Sequence, residues 1–250
     1  MLKKIALATA LLATASFATW DKFPVLEANK GQAEAGATYT MAGDFSSLGM
    51  FVQGRYTVIP NLELGLSVPF VLFSDYDGVD GPDGLENIPV MVRYQFMPTM
   101  NAFVDLIIPL GDEELADDGF GVHFGVQYSQ PFGSVVLGTE AGFELHTQGD
   151  DEYSDSYDLN LGAEVRIPMG MVTPYVGLDL DMLIGEPTID GDEIPGSDRS
   201  GTLGIAPYVG ANIGITEMVY ADVQARFGIG EDYYGEDMPI WLTAKVGVNF

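Results

Sequence analysis

The residues of this chain that could do chemistry are charged side chains at alternate positions of otherwise apolar segments. Where apolar residues fill every second position, the basic and acidic residues fall on the opposite face. The set comprises Arg55, Glu63, Arg93, Asp105, Glu140, Glu144, Glu164, Arg166, Asp179, Asp181, Asp222, Arg226 and Lys245. Opposite charges on one surface can pair with one another or can sort solutes by charge. The pattern therefore predicts an ion-pair network or an electrostatic filter.

A second candidate is an acidic, glycine-rich stretch at residues 75–86. Its possible metal ligands are Asp75, Asp77, Asp80, Asp83 and Glu86. Carboxylate oxygens are the ligands that calcium prefers, so this stretch predicts a calcium site. It departs from the helix-flanked calcium loop, because Val79 stands at the third ligand position and Asp80 replaces the turn glycine. The alternative is a loop that is simply solvated.

Enzymatic chemistry finds little support in the residue types. The chain has two histidines, His123 and His146, and no cysteine. Neither histidine has a serine at a spacing typical of a nucleophile, and Ser67 is at best a distant partner. Two histidines without cysteine also make a zinc site improbable. We therefore expect no enzyme, and no cofactor except calcium at extracellular loops.

The elements that must position these side chains are short strands. From residue 33 onward, apolar and polar residues alternate in segments of about ten residues, the length that a tilted strand needs to cross a bilayer. The predicted strands lie at 33–42, 47–58, 62–73, 87–96, 101–110, 119–129, 134–146, 156–167, 172–184, 201–213, 218–229 and 239–250. The connections alternate between tight turns and long, acidic loops. The predicted fold is all-β: one closed antiparallel transmembrane β-barrel of about twelve strands, with short periplasmic turns and longer acidic extracellular loops.

The final stretch, residues 239–250, shows the alternation most clearly. Counting back in twos from Phe250, every residue to Ile240 is apolar, while Lys245 and Asn249 lie on the other face. The stretch resembles the closing strand of bacterial outer-membrane β-barrels. That resemblance implies that Phe250 is the terminal aromatic recognised by the barrel-assembly machinery. In size and layout the chain also resembles the barrel proteins grouped with aromatic-degradation transporters.

The amino-terminal residues indicate the cellular compartment, and the net charge indicates which partners are excluded. Residues 1–18 contain two lysines, an apolar run and the small-residue site Ser16-Phe17-Ala18, which predicts a secretory signal peptide. Residues 19–32 lack periodicity and are predicted to be a periplasmic lead-in to a barrel at 33–250. No other run is long and apolar enough for a membrane helix, and a closed barrel is then the spanning structure that remains. The net charge of −27 argues against nucleic acid as a partner.

The sequence leaves open whether solutes can pass through the lumen. A barrel of about twelve strands leaves a pore of about 6 to 10 Å after side chains, wide enough for small solutes. The first hypothesis is a passive channel for small solutes in the Gram-negative outer membrane that prefers cations or neutral molecules. The alternative is a closed structural or surface-interaction barrel, plugged by paired charges, whose acidic loops bind divalent cations, lipopolysaccharide or a partner. The expected partners are outer-membrane lipid, the assembly machinery and small solutes. An exported soluble β-sandwich would alternate too, but it does not explain the two-sided asymmetry of the loops.

Overall fold

A computed structural model describes residues 20–116, 119–149, 153–154, 156–190, 192–194 and 199–250 of the chain. The predicted signal peptide, residues 1–18, lies outside the described residues. Within them, no helix has the length and apolar character needed to cross a membrane.

Twelve long strands form one antiparallel barrel, as the alternating segments predicted. The strands are β1 (Gly31–Ala42), β2 (Phe45–Ile59), β3 (Leu62–Tyr76), β4 (Ile88–Met97), β5 (Met100–Ile108), β6 (Gly121–Phe132), β7 (Val135–His146), β8 (Tyr157–Arg166), β9 (Val172–Ile184), β10 (Leu203–Gly214), β11 (Val219–Phe227) and β12 (Ile240–Asn249). Each strand pairs with the next along the chain, and β1 pairs with β12. This last pairing closes the barrel.

The connections make the two ends of the barrel different. At the end that we call the turn end, the connections are 60–61, 98–99, 133–134, 167–171 and 215–218. At the opposite loop end they are 43–44, 77–87, 109–120, 147–156, 185–202 and 228–239. The turn after β2 places Asn61 at a φ of 73°, a left-handed conformation that asparagine tolerates. Only the 43–44 connection is short at the loop end.

The two faces of the wall are reversed relative to a soluble protein. Val52 is 62% exposed and Val246 is 52% exposed on the outside, whereas Arg93 is 1% exposed and Gln127 is 0% exposed on the inside. A soluble β-sandwich would bury the valines and expose the arginine. An apolar outer surface around a polar interior is the arrangement of a bilayer-spanning barrel.

The loop end carries an apolar cluster inside the mouth of the barrel. We call it the apolar cap; its buried members are Ala42, Phe45, Val71, Leu115, Tyr234 and Trp241. Leu115 comes from the 109–120 connection, and Tyr234 comes from the short helix α1 (Glu231–Tyr234) in the 228–239 connection. Two of the long loops therefore fold inward across the mouth. Three further short segments, Tyr153–Ser154, Thr188–Ile189 and Asp192–Glu193, pair with one another in a small separate sheet.

The wall is interrupted between β3 and β4. These strands pair only from Leu62↔Tyr94 to Leu66↔Val90. Farther toward the loop end, β3 pairs instead with the short strand Gly84–Leu85. Proline lacks the backbone N–H that a sheet ladder needs, and Pro69 and Pro89 flank the point where pairing stops.

A positive charge on the outer surface should destabilise the barrel. Val104 lies in the middle of β5 with 40% exposure, and arginine at mid-bilayer costs about 2 to 4 kcal/mol. We expect Val104→Arg to lower the free energy of unfolding in lipid vesicles by that amount, measured by urea titration. Leu110→Arg, placed in the 109–120 connection, is the control and should change little. Equal effects of the two substitutions would contradict a lipid-facing β5.

Candidate functional site in the barrel lumen

Residues 20–26 lie inside the turn end of the barrel, and we call them the plug segment. The backbone N–H of Val25 donates to the side chain of Gln95, and that of Leu26 donates to Glu63, each at 3.0 Å. The Phe23 side chain is buried. The prediction of a periplasmic lead-in over 19–32 is therefore corrected for 20–26, and residues 31 and 32 already belong to β1. The segment satisfies its backbone with side chains of distant strands, which leaves no periodicity in the sequence.

Four charged residues fix the plug segment to the wall. Asp21 lies 3.1 Å from the Arg55 guanidinium and 3.3 Å from that of Arg93. Glu63 accepts from Arg93 at 2.9 Å and lies 3.5 Å from Arg55. Arg93 also donates to the Phe23 carbonyl and to the Gln127 side chain. Two arginines and two carboxylates balance, so this buried group carries no net charge.

Asp21 stays ionised in this position. Burial alone would raise the pKa of the carboxyl, but the charges of Arg55, Arg93 and Arg166 and the N–H of Phe23 outweigh burial. The pKa of Asp21 is therefore held well below its usual range. A depressed pKa means that the folded arrangement favours the charged form, and that this contribution to stability is present at neutral pH.

Lys22 enters a recess in the opposite wall. Its ammonium lies 2.9 Å from Asp179 and donates to the Tyr208 hydroxyl at 3.3 Å. A side chain at Gly162 would place its Cβ 2.2 Å from Lys22 Cε, so glycine makes room for the lysine. We call Asp179, Tyr208 and Gly162 the ammonium cradle. Arg226 approaches the same Asp179 carboxylate at 3.1 Å from the other side.

A cavity of about 440 Å³ lies in the lumen and is lined by residues ranging from Trp20 in the plug segment to Trp241 in the apolar cap. Most of the predicted lumen residues line it, namely Glu140, Glu144, Glu164, Arg166, Asp179, Asp181, Asp222, Arg226 and Lys245. The others, Arg55, Glu63, Arg93 and Asp105, are buried away from the cavity. The first three hold the plug segment. These four residues are structural in this arrangement, whereas the sequence could not separate them from the filter set.

The three basic strand residues that line the cavity, Arg166, Arg226 and Lys245, are paired with acids, whereas the Arg199 guanidinium donates to the backbone carbonyls of Asp232 and Tyr233. Arg166 donates to Glu164 at 2.6 Å, and Lys245 lies 3.1 Å from Glu34. Together with the contact of Arg226 to Asp179, these ion pairs neutralise the positive charges of the three residues.

Several cavity carboxylates are met by neutral donors instead. Tyr233 donates to Asp158 at 2.6 Å, Tyr175 donates to Asp222 at 2.7 Å, and Gln127 donates to Glu140 at 2.5 Å. A neutral donor satisfies a hydrogen bond without cancelling the charge. Among the described residues that line the cavity, acidic side chains outnumber lysines and arginines.

Both histidines contact carboxylates of the barrel wall. His123 lies 3.3 Å from Asp105, accepts or donates at 2.7 Å with Asn160, and packs its ring 4.8 Å from that of Phe103. His146 lies 2.9 Å from Glu144. The sequence left Asp105 open between ion pairing and an electrostatic filter, and the structure places it as the buried partner of His123.

The acidic stretch at 75–86 forms a hairpin rather than a ligand cage. Asp75 and Asp80 face each other across its two-stranded part, and Asp75 accepts from the N–H of Gly78 at 3.0 Å. Over the described residues, no three acidic or histidine side chains converge as the ligands of a metal ion. The proposed calcium ligands Asp75, Asp77, Asp80, Asp83 and Glu86 are thus not brought together, because the turn points them along a strand pair.

Some residues of the site were missed in the sequence. Glu34 and Asp158 point inward with the predicted set, and both obey the alternation, since Asp158 stands two positions before the inward Asn160. Counting in twos would have found them. Nothing in the local sequence marks Trp20, Asp21 or Lys22 as lumen residues, because their partners are remote in the chain.

Comparison with known proteins agrees with this architecture. The model of a family described as "Putative MetA-pathway of phenol degradation" matches residues 17–243. An outer membrane channel from Pseudomonas putida F1 superposes with a TM-score of 0.77 at 15% identity, covering 94% of this chain and 100% of that one. The translocator domain of the autotransporter NalP from Neisseria meningitidis has a TM-score of 0.54 at 8% identity, with 96% and 93% covered. The NanC porin has a TM-score of 0.51 at 8% identity, with 87% and 98% covered. No curated protein sequence matches the chain.

These likenesses concern the fold. The closed barrel and its apolar outer surface place the chain in the outer membrane, as the sequence predicted.

The plug segment should be released by acid. The stability contributed by Asp21 is fully present above its unfolded pKa of about 3.9 and is lost as pH falls through the lower folded pKa. The charged groups facing Asp21 are Arg55, Arg93 and Arg166, with Glu63 beside them. We expect pepsin cleavage within residues 20–30 to appear only below about pH 4 in the intact barrel.

Asp21→Asn tests the same contact at neutral pH. Removing one member of a buried ion pair costs about 3 to 5 kcal/mol, so trypsin should cleave this variant near Lys22 at pH 7. Asp44→Asn, on an exposed turn, is the control and should stay resistant. Resistance of Asp21→Asn equal to that of the control would refute the role given to Asp21.

Proposed function

The chain belongs to the family described above, and from this premise and the geometry of the lumen we propose that it is a passive outer-membrane channel for small solutes. The preferred solutes are cations or neutral molecules rather than anions. The observation that carries the proposal is the cavity, whose lining contains more acidic than basic side chains and holds Glu140, Asp158 and Asp222 by neutral donors. The proposal includes no enzymatic step.

Axial passage through the channel requires the plug segment to move. Residues 20–26 occupy the turn end through contacts to Gln95, Glu63 and Asp179 on three different strands. These contacts are ion pairs and hydrogen bonds rather than a large apolar interface. Such contacts can be exchanged for water or solute without exposing an apolar core, so the segment suits a displaceable barrier. The closed-barrel alternative corresponds to a segment that never leaves.

Single-channel recording tests the proposal directly. The refolded chain without residues 1–18 should give stable conductance steps in a planar bilayer, with a reversal potential that indicates cation preference. Asp21→Asn should raise the open probability, because it loosens the plug segment. The closed structural role would be favoured if the protein shows the heat-dependent change in gel mobility of a folded barrel but neither the parent chain nor Asp21→Asn conducts.

Neutralising the cavity acids should reduce selectivity without unfolding the barrel. A charge at about 4 Å in a water-like medium contributes about 1 kcal/mol, so the single substitution Asp158→Asn should lower the cation-to-anion permeability ratio about fivefold. Asp232→Asn, on the exposed face of α1, is the matched control. A ratio that falls equally in the control would assign selectivity to the mouth instead of the cavity.

Aromatic side chains of the cavity favour a finer class of neutral solute. The rings that line it are Trp20, Phe51, Tyr175, Tyr208, Tyr233, Tyr234 and Trp241. Ring faces and edges bind other rings in offset or edge-to-face contacts worth about 0.5 to 1.5 kcal/mol each. The carboxylates beside them accept hydrogen bonds from hydroxyl groups. Small aromatic alcohols, the class that the family description mentions, suit such a wall.

Current block distinguishes this class. Phenol should interrupt the ion current of the open Asp21→Asn channel at lower concentration than cyclohexanol, which has the hydroxyl without the aromatic ring. Benzoate, an aromatic anion, should block least, because the carboxylates repel it. Equal block by phenol and cyclohexanol would remove the aromatic preference and leave the small-solute channel standing.

A further inference from the structure

The side chain of Lys22 occupies the ammonium cradle in the way a ligand would. Its ammonium contacts the Asp179 carboxylate at 2.9 Å and the Tyr208 hydroxyl at 3.3 Å. It also lies 5.4 Å from the centre of the Tyr208 ring, within the range of a cation–π contact. A carboxylate, a hydroxyl and an aromatic face together are the groups that recognise an ammonium ion.

The strands hold the cradle in place by contacts that do not involve Lys22. Arg226 lies 3.1 Å from the second oxygen of Asp179, and the Tyr208 hydroxyl donates to Glu164 at 2.9 Å. The recess at Gly162 is part of the wall itself. The ring of Tyr208 packs over Gly177, where a Cβ would lie 2.1 Å from the ring. The absence of a side chain at Gly177 therefore fixes the position of this tyrosine. The recess is therefore expected to keep its shape when the lysine leaves.

The cradle is in contact with the cavity. Lys22, Gly162, Asp179 and Tyr208 all line it. A cation in the cavity is attracted by the negative wall and meets the cradle beside the lysine that fills it.

Lys22 enters as a charged group. Burial alone would lower its pKa, but Asp179, Tyr208 and Glu140 outweigh burial and raise the pKa above its usual value. A second ammonium can thus replace the lysine charge for charge. At Asp179 the exchange keeps an ammonium and Arg226 beside the carboxylate, so Asp179 is not left as an uncompensated buried charge. Arg55 and Arg93, which Asp21 leaves, keep Glu63 as their partner.

We propose that small primary ammonium compounds bind the ammonium cradle in exchange for Lys22 and thereby displace the plug segment. This inference rests on the proposed channel function, since the solute must first reach the cavity. It adds a ligand class, alkylammonium ions, and a regulation, because the channel is then opened by the solute it admits.

Tryptophan emission reports the displacement independently of conduction. The chain has two tryptophans, so Trp241→Phe leaves Trp20 in the plug segment as the sole one. Trp20 lies under the Arg55 guanidinium at 5.0 Å. Addition of ethylammonium chloride to this variant should shift the emission to the red and increase quenching by acrylamide, since Trp20 moves to water. In single-channel records of the unmodified barrel, ethylammonium should raise the open probability about tenfold, the factor that loss of one charged hydrogen bond gives.

Matched ligands and variants isolate the cradle. Tetramethylammonium, which has no N–H donors, and ethanol, which has no charge, should leave the emission unchanged. Lys22→Met should show displaced emission without ligand and no further response, whereas Lys30→Met, an exposed lysine outside the lumen, should respond as the parent does. Asp21→Asn in the Trp241→Phe background verifies that emission detects a released segment.

Two results would overturn the inference. One is an emission that ethylammonium leaves unchanged while Asp21→Asn shifts it. The other is an equal response to tetramethylammonium, which would indicate general screening by salt. Either result leaves the channel function intact if the barrel conducts cations. A barrel that shows the ethylammonium response but never conducts would instead contradict the channel and keep the cradle.

Discussion

The structure depends on the cost of leaving a charge unpaired inside a protein wall. Arg93 is 1% exposed and Glu63 is 2% exposed, and neither could be buried alone. Their contact at 2.9 Å is completed by Arg55 and by Asp21 of the plug segment. Without Asp21, the wall would hold two arginines against one carboxylate. The barrel therefore needs the segment for electrostatic balance, and this need explains how residues without a strand of their own keep a defined position.

The same requirement divides the lumen into two regions. Near the turn end, the charged side chains are buried and the two arginines are balanced by two carboxylates, so the region is structural. Around the cavity, carboxylates such as Asp158 and Asp222 accept hydrogen bonds from tyrosine hydroxyls and have no basic side chain as their hydrogen-bond donor in these contacts. A solute would experience the second region and be stopped by the first. Lys22 links the two regions, because it belongs to the plug segment but binds a carboxylate of the cavity wall.

Glycine and tyrosine share the inner surface in pairs across neighbouring strands. The ring of Tyr208 covers Gly177, the ring of Tyr175 covers Gly210, and that of Tyr220 covers Gly247, each where a Cβ would come within 2.4 Å. The rings lie flat against the wall rather than across the lumen. Their hydroxyls then reach carboxylates such as Glu164 and Glu34. This arrangement leaves room for a cavity in a barrel of only twelve strands.

The sequence by itself determined where the strands lie and which face their alternating side chains share, and it predicted a count of about twelve. Alternation over segments such as residues 239–250 is a local property, because neighbouring side chains of a strand point to opposite faces whatever the strand pairs with. Only the tertiary structure decided which inward charges meet. Arg93 and Asp105 are both inward charged residues of a strand in the sequence pattern. In the structure, Arg93 binds the plug segment and Asp105 binds His123. The position of residues 20–26 was decided in the same way, since their partners come from strands as remote as β10. Contacts between distant parts of the chain leave no local periodicity in the sequence.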